Sequence, residues 1–447
     1  MTTEHTFETE VPAEGSTAPA TGQPRQIDRF FGWLGSQVEA SYVVYALFLM
    51  SGAWFQPMQD SWLVGAAESS VADSVFVPVY GILGLLVLLR FRTTLRAALA
   101  HKLTLLLIML VVLSTLWSQA SDVTWRRSIA IVATSAFGWY LVGRYSGRDI
   151  LKLLAIAIGF GGLLSLYYGI TDPATASMTG SNEWKGVFDN KNALARIAVL
   201  GFLLCLLLRI DRVRPPWPLW GAMGLFAGLL LMSQSKTGLL VLVMLVLLTH
   251  FSNTLRLRLT ILIPLIIAAV TLIVGGAMWL HSHAATVATQ VGRDVTMTGR
   301  TDLWAEALIM IQRHPLVGYG YGGFWRGWIG DSGEFWSAVQ WQPPHAHNGF
   351  IDLTLDLGIL GLALFFAGLV TAVTAAVARA RWLRSASSTA PLVILSFVIL
   401  YNITESSILR QNTVLWLVYV IAVSLACNGG QEVVVPGARS FPGANRA

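Results

Sequence analysis

NALARIAVLGFLLCLLLRIDRVRPPWPLWGAMGLFAGLLLMSQSKTGLLVLVMLVLLTHF, residues 192–251, holds three apolar runs, separated first by a basic, proline-containing linker and then by a turn of a few polar residues. Each run approaches the roughly 17–25 residues that an α-helix needs to cross ~30 Å of hydrocarbon. The linker carries Arg209, Arg212 and Arg214, whereas the turn carries a single cation, Lys236. Cytoplasmic loops of membrane proteins are enriched in Lys and Arg, so this alternation gives the three runs a direction as well as a class.

The same reading extends along the chain. Apolar runs at about 38–56, 74–90, 102–118, 127–144, 150–170, 192–210, 217–233, 236–251, 258–280, 350–378, 391–404 and 412–427 predict about twelve membrane helices. Basic clusters fall in alternate loops: Arg90, Arg92, Arg96 and Lys102; Arg144, Arg148 and Lys152; Arg209, Arg212 and Arg214; Arg256 and Arg258; Arg379, Arg381 and Arg384. An even number of spans with this charge distribution puts both termini in the cytoplasm. Hydrophobic residues make up 55% of the 447 residues and charged residues only 12%, with a mean hydropathy of +0.62. A water-facing globular surface cannot accommodate that balance. The expected fold is an all-α polytopic membrane protein with one transmembrane domain over 38–427.

The first 28 residues lack an apolar stretch and read as a disordered cytoplasmic tail, not as a cleavable signal; 428–447 read as a second cytoplasmic tail. Cys205 and Cys427 both lie in apolar runs, with neither CxxC nor Cys/His spacing, and read as small hydrophobes. One outward segment, 281–349, is far longer than an ordinary connection. It has structure of its own: TDLWAEALIMIQR has helical apolar spacing with Thr301 as a cap and Asp302 in the first turn, and His314-Pro315 ends that helix before the glycine-rich GYGYGG. Trp325, Trp328, Trp336 and Trp341 suit a layer at the outer headgroups.

Several cations break the positive-inside pattern by falling at outward helix ends. They are Arg126, Arg127, Lys185, Lys191, Lys236, Arg300, Arg313, Arg326 and Arg410, with His345 and His347 beside them. Ionisable groups near membrane depth are costly to desolvate and tend to face a wet cavity, where arginine forks and lysine charges would bind an anion such as a phosphate or diphosphate. The plainer alternative is that some of them snorkel to headgroups or pair structurally, which weighs most for Arg126, Arg127, Arg313 and Arg326. His347, in PPHAHNGFIDLTLDLGILG, is the sharpest candidate, because imidazole accepts a proton near neutral pH. Asp352 and Asp356 follow one helical turn apart, and either would orient the imidazole, pair with an arginine or serve the helix end. Spacing does not separate His345 from His347. Asn192, Asn348, Asn402 and Glu405 are polar groups near outer helix ends that bind substrate or glue helices together.

These segments together resemble the O-antigen ligase and polymerase superfamily, in particular its exopolysaccharide-production branch. The family's His-Asn/Ser/Gln pair with glycines following at fixed spacing is met by His347, Asn348, Gly358 and Gly361. Its Arg-x-x-x-Trp and His-Pro-Leu-x-Gly-x-Gly segment is met by Arg300, Trp304, His314, Pro315, Leu316, Gly318 and Gly320. LWSQASDVTWRRS, GVFDNKNALA and SQSKTG agree in order and placement, and YNITESSILRQN resembles the exopolysaccharide branch. Lys185 and Lys236 stand where ligases often carry Arg, and the two are not equivalent for bidentate phosphate binding, which favours a polymerase over a ligase.

The resemblance implies a fold like the class C multi-span glycosyltransferases and an inverting, metal-independent transfer from an undecaprenyl-diphosphate-linked glycan, with no cofactor, at the periplasmic face of a bacterial inner membrane. Lys185, Lys191, Lys236, Arg300 and Arg410 would hold the diphosphate, with Asn348 and Glu405 as further substrate-binding groups, and His347 would be the catalytic residue. Membrane lipids and other polysaccharide assembly and export proteins are the implied partners, and nucleic acid is not. The competing classes are a ligase acting on lipid A core or protein, a transporter or flippase for the same lipid-linked substrate, and a non-catalytic export subunit. A transporter would keep its polar groups near the bilayer midplane between repeats, whereas here they gather at one face.

Overall fold

The computed structural model describes residues 26–54, 68–210, 216–250, 300–383 and 385–428. The expected span at 258–280, the first part of the long segment (281–299) and tail residues 1–25 and 429–447 lie outside the described residues. The chain divides into two compact units, 1–43 and 44–447. The first is seen as the start of α1 (Gln26–Met50), which begins well before the expected residue 38. Everything that follows concerns the second.

Among the described residues the regular secondary structure of the second unit is helical apart from one isolated bridge between Ser177 and Trp184. α2 (Glu68–Leu89) and α3 (Phe91–Leu99) meet at a bend of 92°. Arg90 at the bend leaves helical geometry, and Arg92 and Arg96 then alternate with exposed Phe91, Leu95 and Leu99, so α3 is a short amphipathic helix. α4 (Lys102–Leu113) is capped by His101, whose Nδ1 accepts from the Thr104 amide at 3.2 Å. α5 (Ser121–Arg144), α6 (Gly147–Thr171), the single turn α7 (Pro173–Ala176), α8 (Lys191–Ile210), α9 (Trp217–Ser233) and α10 (Lys236–His250) follow. The long segment contributes α11 (Arg300–Arg313) and α12 (Asp331–Val339), and α13 (Gly349–Trp382), α14 (Ala386–Asn402) and α15 (Val414–Cys427) complete the order.

Among the described residues three helices, α6, α8 and α13, are long and apolar enough to cross a membrane, and the bent pair α2–α3 makes a fourth if counted as one span. α4, α9, α10, α14 and α15 are apolar but shorter. Helices thus occupy each of the eleven expected segments that fall among the described residues, and three or four of these helices or bent pairs meet the length of a full span. Among the described residues the regular structure is all helical, with the apolar helices of a membrane protein. α15 is its centre: Val414–Ser424 is buried without interruption, as expected of a helix that is apolar all round, and it packs on α5, α13 and α14. α8 packs on α6, α9, α10 and α14. Cys205 and Cys427 are free thiols inside these helices.

α13 breaks at Gly358, whose backbone sits at φ 63, ψ −166. The break frees backbone groups, and the chain after α11 takes them up. Ile359 N donates to Pro315 O (2.8 Å), Leu360 N to Leu316 O (3.1 Å), and Tyr319 N to Leu355 O (2.8 Å). A Cβ on Gly358 would stand 2.3 Å from the Leu316 carbonyl carbon, which explains the glycine physically. Gly361 is equally confined, its added Cβ lying 2.3 Å from the Leu357 Cβ.

Gly358→Ala is expected to destabilise the protein by at least about 1–3 kcal/mol, from backbone strain plus overlap with a main chain that cannot rotate away. Thermal unfolding in detergent checks this; a variant as stable as the parent would show that the break is not what seats the loop.

Candidate functional site

The site is assembled where the first turns of α8, α10, α11 and α13 meet the loop after α14. Asn402 organises that loop. Fully buried, it donates to Val398 O (2.7 Å) and accepts from the amides of Ser407 (2.8 Å) and Ile408 (3.1 Å). This is the gluing role that a buried amide in a membrane bundle fills. Gly349 lies against it so closely that an added Cβ would be 2.1 Å from Asn402 Oδ1. Tyr321, buried, donates its hydroxyl to Leu409 O and to Gln411 Oε1 (2.9 Å), holding Leu409 at φ 54.

Glu405 is where the elements converge. Its Oε1 accepts from Asn192 Nδ2 on α8 at 2.9 Å and stands 3.7 Å from the Arg300 guanidinium on α11. Its carbonyl accepts from Gly349 N at the start of α13 (3.1 Å), and Arg300 also donates to the neighbouring Thr404 O (2.9 Å). Asn192 in turn accepts from Ser235 Oγ (3.2 Å), the residue before α10. The other carboxylate oxygen, Oε2, faces His347 Nδ1 at 3.7 Å, an ion-pair distance beyond hydrogen-bond length. Burial alone would raise the Glu405 carboxyl, yet the facing His347 ring and the charge of Arg196 hold it below its ordinary value.

His347 is in an unusual state. Its backbone is left-handed, φ 51, a conformation few side-chain-bearing residues adopt, and its Nδ1 is buried with no hydrogen-bond partner among the described residues. The turn that holds it is fixed from three sides. His347 N donates to His345 Nδ1 (3.2 Å), Ala346 N donates to Asp352 Oδ1 (3.1 Å), and Ala346 O accepts from the Trp304 indole (2.9 Å). Trp325 Nε1 donates to the same Asp352 oxygen (2.9 Å). Asp352 therefore orients the histidine turn through its backbone, not its ring, and Asp356 serves the loop by accepting from Gly322 N (3.0 Å).

The structure separates the two histidines that spacing left equal. Burial, reinforced by the charges of Arg410 and His347, pushes the His345 ring down to about 3, and its Nδ1 already accepts the His347 amide. A ring so placed stays neutral and acts as a support. His347, with a free ring nitrogen facing a carboxylate, is the one equipped for proton transfer.

The other candidate residues divide. Arg300 and Glu405 stand together beside His347, and the exposed Arg410 acts on His345 through its charge. Asn348 is engaged as the N-cap of α13, its Oδ1 accepting from Phe350 N (3.0 Å) and Ile351 N (3.2 Å), with Nδ2 donating to Ile403 O (3.3 Å). Lys191 pairs with Glu183 at 2.5 Å. Lys185 sits in the turn whose amides at Lys185 (2.8 Å) and Gly186 (2.9 Å) bond to Ala176 O. Lys236, exposed at the start of α10, lines a cavity of about 120 Å³ with Gln234, Ser235 and Leu230. Of the other cations expected to face outward, Arg313 pairs with Asp331 (2.6 Å) and Glu334 (2.7 Å) and Arg126 with Asp122 (3.7 Å). Arg127 and Arg326 donate to backbone carbonyls of Gly322 and Gln119. For these four the structural role is the one observed.

Arg196 was not among the candidates. It lies one turn beyond Asn192 on α8, its charge acts on Glu405 and Arg410, and its buried Nε has no hydrogen-bond partner among the described residues. The i, i+4 spacing from Asn192 was the available signal. His345, His347 and Glu405 also bring one donor atom each within 4.8 Å of one another, a grouping able to hold a metal ion, against the expectation of none. Arg196 and Arg300 bring positive charge to that carboxylate and Arg410 brings it to His345, so the electrostatics favour an anionic occupant over a cation.

Residues 221–366 match the family model described as O-Antigen ligase. That stretch includes Lys236, Arg300, His347 and Asn348, while Lys185, Lys191, Glu405 and Arg410 lie outside it. Over 275 residues the chain is 28% identical to the exopolysaccharide production protein ExoQ of Rhizobium meliloti (strain 1021). The alignment takes in 57% of this chain and 60% of that protein, so less than two thirds of the relative's length is matched. The two matches bear out the resemblance: residues 221–366 are similar to the O-antigen ligase family, and the chain is similar over part of its length to an exopolysaccharide production protein.

Proposed function

We propose that the chain is an exopolysaccharide polymerase. It joins an undecaprenyl-diphosphate-linked glycan to another lipid-linked repeat unit at the outer face of the bacterial inner membrane, by inverting transfer without a metal. The observation that carries this reading is the strained His347, its buried, unbonded Nδ1 3.7 Å from Glu405 in a setting crowded with guanidinium groups. Unsatisfied and strained groups concentrate at functional sites, and here the ring is a proton acceptor and the surroundings suit a diphosphate. About twelve spans, which rest on the apolar runs, both termini in the cytoplasm, which rests on the loop cations, and a class C glycosyltransferase arrangement, which the resemblance implies, complete the proposal.

In the proposed step the acceptor hydroxyl attacks the anomeric carbon as the bond from that carbon to the diphosphate oxygen breaks. The hydroxyl proton passes to His347, and the bonding electron pair leaves with the diphosphate. Glu405 opposite Nδ1 favours the tautomer with its proton on that nitrogen, which leaves Nε2 to accept, and the carboxylate then stabilises the imidazolium. Arg300 and Arg410, with Arg196, Lys185 and Lys236, would offset the charge developing on the leaving group, whereas the charge of Lys191 is taken up by Glu183. Asn348 supports the site as the cap that fixes the start of α13 next to His347.

The similar Rhizobium meliloti chain is an exopolysaccharide production protein, which favours polymerisation; the match to the O-antigen ligase family supports the second reading, a ligase that transfers a finished glycan to lipid A core or protein. Cells lacking the chain distinguish them. Single lipid-linked repeats accumulating in those cells indicates a polymerase, and full-length lipid-linked polymer indicates a ligase.

His347→Ala is expected to lower turnover by about 10²–10⁴-fold, the usual contribution of a positioned general base. Long polymer made at the parental rate from normally exported precursors would remove the catalytic role. For Glu405 the folded-state carboxyl titrates below its ordinary value of 4.5, so its contribution to stability is present above that pH and lost as pH falls through the lowered value. Glu405→Gln should therefore flatten the acid limb of a stability–pH profile measured by thermal unfolding in detergent, and should depress turnover while His347 is intact. An unchanged acid limb would mean that Glu405 is not held by its positive neighbours.

A further inference from the structure

Four indoles surround the histidine turn, and three have structural duties. Trp304 donates to Ala346 O (2.9 Å), Trp325 to Asp352 (2.9 Å) and Trp336 to Pro343 O (3.1 Å). Trp341 differs. Its indole N–H has no hydrogen-bond partner among the described residues, its side chain is 42% exposed, and its ring lies within 22° of the His347 ring plane, centroids 6.2 Å apart.

The local chain is built to present it there. α12 ends at Gln340, whose φ of 60 reverses the backbone, and Pro343-Pro344 then stiffen the run to His345. Trp336, held to Pro343 O, pins the same run from inside. Trp341 is thereby positioned beside the proton acceptor with one free donor and an open face.

That combination fits a sugar ring. A pyranose has a face of C–H groups that packs on a flat apolar surface and a rim of hydroxyls that accept from an N–H; an indole supplies both at low conformational cost. Binding sites generally join apolar lining to a few placed polar groups. The diphosphate end of the donor belongs with the guanidinium groups near Glu405, the acid that faces Nδ1 of the His347 ring. We propose that Trp341 is the platform of the acceptor-sugar subsite, holding the acceptor ring so that its hydroxyl meets His347. The inference rests on the glycosyl-transfer reading above and assigns its acceptor side. Trp328 (61% exposed), Ile329 (57%) and Leu316 (70%) are more open, without a ring against His347, and fit a lipid-facing surface instead.

The test uses the full chain in vesicles, with lipid-linked repeat unit as donor and a repeat-unit oligosaccharide on a short lipid as acceptor. Trp341→Ala should raise the acceptor KM by about tenfold, the scale of one aromatic contact, while leaving the donor KM within about twofold. Trp341→Phe, which keeps the face and loses the N–H, should recover most of the loss and guards against a folding defect. Independently of turnover, added oligosaccharide should perturb tryptophan fluorescence in the parent and not in Trp341→Phe. An unchanged acceptor KM in Trp341→Ala overturns the proposal, as does Trp341 fluorescence that is quenched by brominated lipid and not protected by oligosaccharide, which would make it a membrane anchor. His347→Ala separates the two levels: full activity in that variant sinks the catalytic reading, whereas an inactive His347→Ala beside an unaffected Trp341→Ala sinks only the acceptor subsite.

Discussion

A helix that breaks within a membrane protein must find partners for the backbone groups it frees, because hydrocarbon offers none. α13 breaks at Gly358 and finds them in Pro315, Leu316 and Tyr319. The loop after α11 is therefore joined to the bundle by main-chain hydrogen bonds, and everything it carries is fixed by that seam. Tyr319 packs with Leu303, Met310, Phe324 and Phe335 in a small apolar core, so α11 and α12 form a compact cap over the start of α13. From residue 300 onward the long segment is a structure, with its own core and its own anchorage.

The cap delivers Arg300 from one side and the His345–Asn348 turn from the other to the same acid, Glu405. No single element could do this. Glu405 lies on the loop after α14, Asn192 on α8, Ser235 before α10, Arg300 on α11 and His347 before α13, and one carboxylate touches or faces groups from most of them. Its two oxygens do different work: Oε1 is satisfied by Asn192 and approached by Arg300, while Oε2 is left toward His347. An acid so divided both ties the bundle together and keeps a nearby imidazole poised, which is why its charge state matters for stability as well as for chemistry.

The left-handed backbone at His347 shows how the supporting residues share the load. His345, kept neutral by burial, accepts the His347 amide; Asp352 accepts the Ala346 amide; Trp304 binds the Ala346 carbonyl. Each takes a main-chain group that a strained turn would otherwise leave unpaired. The ring of His347 is thus held through its backbone, and its own Nδ1 stays free.

Sequence alone determined the class of the molecule. Apolar run lengths and the alternation of Lys and Arg are local quantities, and they located helices in each of the eleven expected segments that fall among the described residues and singled out His347, Arg300 and Glu405 as polar groups at helix ends. The glycines at 358 and 361 were legible as a pattern, but their reason, the close approach of Leu316 to one and Leu357 to the other, was not. Which cations belong to the site depended on tertiary structure, since a lysine's partner is set by what folds beside it: Lys191 is drawn to Glu183 and Arg313 to Asp331 and Glu334, while Arg196, unmarked in a helical run, is brought near Glu405. The same holds for the two histidines, identical in spacing and separated only by burial and by which one receives the other's amide. Long-range pairing decides these assignments, and no period or spacing within the chain encodes it.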